Sequence, residues 1–170
     1  GEKQMEGKMK EKKVAIIMGS RSDLAEVEKT AKVLSDLGIG YEMHIISAHR
    51  TPDTASGFAQ RAEAEGFDVI IAAAGKAAHL AGVMAAGTVL PVIGIPMKTG
   101  DLGGMDSLLS TVQMPKGVPV ATVAIGGAEN AAILAAQILA CSDNGLRAAL
   151  KEYRKKMAEE VAEADRELNK

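Results

Sequence analysis

The chain has 170 residues, of which 47% are apolar but only 2% aromatic, so a single domain with a core of Ala, Val, Ile, Leu and Met is expected. A formal net charge of −2 supplies no overall basic field for nucleic acid or an anionic membrane, and no unbroken apolar stretch is long enough to span a bilayer. The single cysteine, Cys141, excludes an intrachain disulfide and a multi-cysteine metal site; lying in an apolar run, it reads as a buried thiol, with the reducing cytoplasm as the expected compartment.

Residues 1–12 mix Lys, Glu and Gly without a signal-peptide apolar region and read as a solvated leader. Val14–Met18 is a short continuous apolar run, the pattern of a strand covered on both faces. After Gly19-Ser20-Arg21-Ser22-Asp23, Leu24, Val27, Ala31 and Leu34 recur at helical spacing, and Gly38 closes that helix. Tyr41–Ile46 reads as a second strand. Thr51-Pro52-Asp53 then has the order N-cap, first helical position, first-turn acid, and predicts a helix to about Glu65. Val69–Ala74 is a third strand, followed by an Ala-rich helix ending near Gly87, and Val92–Ile95 is a fourth. A glycine-rich loop from Lys98 to Gly104 leads into a short helix over Asp106–Gln113. Val118–Ile125 reads as a fifth strand and Asn130–Ala140 as an apolar helix. Five strand–helix repeats predict an α/β fold with a parallel sheet, helices on both faces, and a ligand site at the carboxyl edge of the strands.

The C-terminal stretch differs. From Ser142 as N-cap it predicts one helix to about Leu168, with Leu146, Leu150, Tyr153, Met157, Val161 and Leu168 in one stripe among charged residues. So long a helix gains little from propensity alone, and its stripe is expected to pack on another subunit. The division is therefore a leader (1–12), a nucleotide-binding catalytic domain (13–141) and a C-terminal helical extension (142–170).

The chemistry-bearing residues cluster in the loops after the strands. Gly19-Ser20-x-Ser22-Asp23 opens a helix, where free N–H groups and the helix dipole favour an anion and Asp23 is placed to accept from a ribose hydroxyl; capping alone accounts for Ser22 and Asp23 equally well. In Ser47-Ala48-His49-Arg50, the guanidinium suits a phosphate and the imidazole suits proton transfer near neutral pH. Gly75-Lys76-Ala77-Ala78-His79 offers close backbone approach to a flat ligand and a second imidazole. A zinc pair of His49 and His79 finds no third ligand at suitable spacing, so no metal is expected, and His44, within a strand, reads as structural. Whether Asp106 and Gln113 line the site or lock the loop stays open on spacing alone. The chain has no Gly-x-Gly-x-x-Gly fingerprint, Walker loop or nucleophile elbow.

Met18-Gly19-Ser20-x-Ser22-Asp23, Ser47-Ala48-His49-Arg50-Thr51-Pro52-Asp53, Ala77-Ala78-His79-Leu80, Asp106-Ser107-Leu108-Leu109-Ser110, Gln113-Met114-Pro115-x-Gly117-Val118-Pro119-Val120 and Asn130–Ala136 together resemble the N5-carboxyaminoimidazole ribonucleotide mutases of purine biosynthesis, over roughly residues 13–155. The resemblance implies a three-layer, flavodoxin-like fold in a homo-octamer, with the C-terminal helix reaching neighbouring subunits. It implies a phosphorylated aminoimidazole ribonucleotide as substrate, its carboxylate moved from the exocyclic nitrogen to a ring carbon, without metal or organic cofactor. Carried onto this chain, His49 is the general acid/base, Ser20, Asp23 and Arg50 bind the ribose phosphate, and Ser22, Ser47, Gly75 and His79 line the base and carboxylate region. The chain departs from the family pattern at Ala73, Lys76 and Ala81. Lys76, a cation where the family has glycine, keeps two alternatives in play: a carboxylase or paralogue with altered substrate, and a nucleotide-binding oligomer without turnover.

Overall fold

Apolar runs with no polar alternation need cover on both faces, and that requirement builds the centre of the molecule. The structure, a computed structural model, describes residues 11–170; residues 1–10, most of the predicted leader, lie outside the described part. β1 (Lys13–Met18), β3 (Val69–Ala74) and β4 (Val92–Pro96) lie side by side in a parallel sheet, with β2 (Gly40–Ile45) and β5 (Ala121–Thr122) on its edges, in the order β2-β1-β3-β4-β5. Alternate side chains enter opposite layers. Val14, Ile16, Met18, Val69 and Ile71 pack with α1 (Leu24–Asp36) and α5 (Ala128–Ala140). Ala15, Ile17, Ile70 and Ala72 pack with α2 (Pro52–Ala62) and α3 (Leu80–Gly87). Each fully buried Val or Ile contributes about 1.5–3 kcal/mol, so these central strands carry much of the fold's stability. This is the flavodoxin-like three-layer α/β/α arrangement expected from the sequence.

Small residues let the layers approach. A Cβ on Gly87 would lie 2.6 Å from the Ala59 Cβ, and one on Gly94 would lie 2.4 Å from Thr111 Cγ2 of α4 (Met105–Val112), so a larger residue at either position would push a helix away. The buried Thr30 hydroxyl donates to the Ala128 carbonyl at 2.7 Å, tying α1 to the start of α5. Gly38 closes α1 at φ +71°, the left-handed conformation expected of it.

Four expectations change. The fifth strand shrinks from Val118–Ile125 to Ala121–Thr122, because Pro119 has no N–H to give and only β4 lies alongside. Helix α6 (Asn144–Leu168) is capped by Asp143, whose carboxylate accepts from the Leu146 N–H at 2.9 Å, in place of Ser142 one residue earlier. Thr51 occupies the N-cap position of α2, but its hydroxyl donates to the Ser47 carbonyl instead of capping. Cys141 is exposed, not buried: it stands one residue past α5 and past Ala140, the last buried residue of that helix. Among the described residues, no helix is long and apolar enough to cross a membrane.

All strands run parallel, so their carboxyl ends share one edge, and strand order reverses between β1 and β3. A crevice opens where the loops on either side of such a reversal diverge.

Candidate active site

The crevice is a cavity of about 400 Å³, within the usual range for small-molecule sites. The loops after β1, β2, β3 and β4 line it. All eight residues singled out from the sequence contribute: Ser20, Ser22 and Asp23 after β1, Ser47, His49 and Arg50 after β2, and Gly75 and His79 after β3.

After β1, the chain turns through a single 3-10 turn, Arg21–Asp23, before α1 begins. Ser20 caps that turn: its Oγ accepts from the Ser22 N–H at 3.3 Å and from the Ser22 hydroxyl at 3.0 Å. Asp23 sits at the N-cap of α1, yet its carboxylate makes no capping bond. Ser20 thus caps the 3-10 turn, α1 itself has no side-chain cap, and Asp23 lines the cavity. Burial pushes its carboxyl above the ordinary carboxylate range, partly offset by a hydrogen bond from the Ser20 backbone.

After β2, Ser47 organises the turn. Its N–H donates to Thr51 Oγ1 at 3.0 Å, its carbonyl accepts from the Thr51 hydroxyl at 2.9 Å, and its Oγ accepts from the Arg50 N–H at 3.1 Å. These bonds make a compact loop from which His49 and Arg50 emerge. Across the cavity, His79 Nδ1 faces His49 Nε2 at 2.9 Å, with the rings edge to face. A hydrogen bond of this length needs one nitrogen to donate and the other to accept, so one proton lies between the two rings. The two nitrogens point at each other rather than at a shared third point, and no group of three or more His, Cys, Asp or Glu suited to a metal occurs among the described residues. His44 keeps the structural role read for it: on β2, it stands 3.3 Å from Glu42 and packs its ring on Phe58.

His79 is presented by a strained turn. Ala77 has φ +45°, the only positive φ at a non-glycine among the described residues, at a cost of about 1–2 kcal/mol. Such strain is commonly found at functional sites. Lys76, on the same turn, lines the cavity but pairs its ammonium with the Asp101 carboxylate, which holds the amine above its ordinary range.

Two lining residues, Lys98 and Thr99, received no role from the sequence. Their loop stands out in the sequence by its glycines, and its position directly after a parallel strand is the same signal that marks the other three loops. Asp106 and Gln113 are not among the lining residues. Asp106 instead accepts from the Thr99 hydroxyl at 3.3 Å, so of the two roles left open it takes that of bracing the loop.

The cavity thus gathers three cations (Arg50, Lys76, Lys98), one desolvated carboxyl, several hydroxyls and a hydrogen-bonded imidazole pair. Such a set suits a polyanionic ligand that undergoes proton transfer.

Comparison with known proteins gives this arrangement a context. The model of the AIR carboxylase family matches residues 13–160. A Pyrococcus abyssi protein named N5-carboxyaminoimidazole ribonucleotide mutase is 57% identical over 145 residues, covering 85% of this chain and 83% of that one. Proteins of the same name from Thermotoga maritima and Escherichia coli K12 are 54% and 51% identical, covering 92% and 89% of this chain and 91% and 90% of their own. The crystal structure of Treponema denticola PurE matches with a TM-score of 0.82 at 31% identity, covering 93% of this chain and 99% of that one. A substituted Treponema denticola PurE2 matches with a TM-score of 0.84 at 30% identity, covering 94% and 99%.

Proposed function

The chain belongs to the AIR carboxylase family, and from that premise we propose that it is an N5-carboxyaminoimidazole ribonucleotide mutase whose general acid/base is His49. The observation that carries the residue assignment is the 2.9 Å pairing of His49 with His79 inside the cavity that also holds Arg50.

Arg50 grips the substrate phosphate, with the Ser20 hydroxyl and the N–H groups at the start of α1 as further donors. Asp23 accepts from the ribose hydroxyls, which replace the water its carboxylate has lost. Ser22, Ser47 and Gly75 line the base and carboxylate region. The excess of cations over carboxylates in the cavity suits a ligand carrying both a phosphate and a carbamate.

In the reaction, protonated His49 gives its proton to the carbamate nitrogen. The C–N bond breaks, its electron pair stays on nitrogen, and CO2 is released within the cavity. The ring carbon then attacks CO2 to form the new C–C bond, and the ring proton passes to neutral His49, which is restored. Atoms and charge balance, and the proton is handled by imidazole with no metal or organic cofactor. His79 holds the other end of the shared proton and fixes the orientation of the His49 ring, as a positioning residue. Confinement matters because CO2 must meet the ring carbon before it diffuses away.

The chain is further read as a cytoplasmic homo-octamer, with 13–141 as its catalytic unit and 142–170 as its assembly element. Met157, Val161 and Leu168 of α6 are 44%, 72% and 84% exposed in the single chain, which supports a neighbour along this stripe.

The test follows loss of the carbamate substrate and appearance of the C-carboxylated product, with His49→Asn as control. The reading expects conversion by the wild type without added bicarbonate and conversion slowed about 10²–10⁴-fold in the variant. Product formed only from aminoimidazole ribonucleotide plus bicarbonate would replace it with a carboxylase, and binding without turnover by a non-catalytic protein. The Lys76–Asp101 pair favours the mutase over a paralogue, because it engages the added cation at the cavity rim.

A further inference from the structure

Strands β3 and β4 end in register, Ala74 opposite Pro96, and their loops then diverge. Lys76 lies two residues past that pair and Asp101 five, and their ion pair joins two loops that both line the cavity, through Lys76 on one and through Lys98 and Thr99 on the other. Residues 100–103 are all exposed, with Leu102 at 65%. Gly103 and Gly104 adopt φ +65° and +99°, a conformation that glycine takes at little cost, and Gly104 is buried where a Cβ would lie 2.6 Å from Ile125 Cγ2, which anchors the far end of the loop. The Thr99–Asp106 hydrogen bond joins the two ends of the loop and leaves residues 100–103 between them.

We propose that Lys76 and Asp101 form an electrostatic strap that ties the β3–α3 turn to the β4–α4 loop and keeps the cavity mouth closed while CO2 is free inside. The strap rests on the reading of the reaction given above. Both partners are mostly exposed, Lys76 at 69% and Asp101 at 67%. An exposed pair of this kind biases an open–closed ratio only about two- to fivefold. That is the scale a gate needs, since a firmer tie would also hold substrate out. The pair is unsheltered, so salt weakens it. Asp106 is the other carboxylate close enough to act on Lys76, and it is engaged by Thr99.

The experiment compares wild type, Lys76→Ala, Asp101→Ala and the exchanged Lys76→Asp/Asp101→Lys protein. Two quantities are read: amide exchange of residues 98–104, and the fraction of consumed carbamate released as decarboxylated aminoimidazole ribonucleotide instead of product. The strap predicts that either single variant raises the by-product fraction and speeds loop exchange by about two- to fivefold. The exchanged pair restores both, and about 0.5 M salt reproduces the single-variant behaviour in the wild type alone. Unchanged exchange and partitioning in both single variants would overturn it. So would a defect in Lys76→Ala without one in Asp101→Ala, which would make Lys76 a direct ligand contact. If the wild type converts no carbamate, the functional reading falls, and loop exchange alone decides whether the strap exists.

Discussion

The cavity edge and the outer half of α6 break the ordinary distribution of side chains in opposite directions. At the cavity edge, polar and charged groups from four loops turn inward onto one hollow, and Asp23 is desolvated and Ala77 strained to let them converge. Along α6, apolar groups turn outward in a line. Leu146 is buried, and Leu150 packs against the same core, but Met157, Val161 and Leu168 extend past it. Convergent polar groups specify a small ligand, whereas a linear apolar stripe specifies a protein surface. On the proposed reading, function is divided between a point, the cavity, and a line, the α6 stripe, and each is expected to be open to damage without the other.

The largest separation is expected from two variants. His49→Asn removes about 10²–10⁴ of the rate, the usual contribution of a general acid/base, while light scattering gives an unchanged particle mass. Met157→Asp with Val161→Asp does the reverse at the level of assembly: the particle mass falls to smaller species. An unchanged mass would show that the stripe does not join subunits. Both residues are exposed in the single chain, so its fold has little to lose from the second change.

A smaller effect sharpens the cavity side. Burial raises the Asp23 carboxyl above its ordinary value, so the folded chain binds this proton more tightly than the unfolded chain. Stability therefore falls as pH rises from the ordinary carboxylate value through the raised one, and the loss persists above it. Asp23→Asn is expected to melt higher than the wild type near neutral pH, with the difference vanishing in acid, while its KM for substrate rises. Equal melting temperatures at neutral and acid pH would show that the buried carboxyl carries no such cost.

Much of this was legible in the sequence, for identifiable reasons. β1, β3 and β4 are covered on both faces and so announce themselves as continuous apolar runs. The loops that follow them inherit a site from the geometry of parallel sheets. Val118–Ile125 overstates β5 because an edge segment is apolar without being paired along its length. Ser142 and Asp143 are adjacent residues of equal capping aptitude, and composition does not choose between them. The His49–His79 bond joins residues 30 apart, and no spacing rule reports a contact made by two loops meeting over a sheet. Lys76 was visible as an odd cation, but its partner Asp101 lies on the next loop, and only folding brings them together.

The most direct measurement is carbon-13 NMR of the carbamate substrate, labelled in its carboxylate and incubated with the wild type in unlabelled bicarbonate. The account predicts that the label appears on the ring carbon of the product largely undiluted, because CO2 stays in the cavity between the two bond changes. Product carrying unlabelled carboxylate from the solution pool, or label that never reaches the ring carbon, would contradict it.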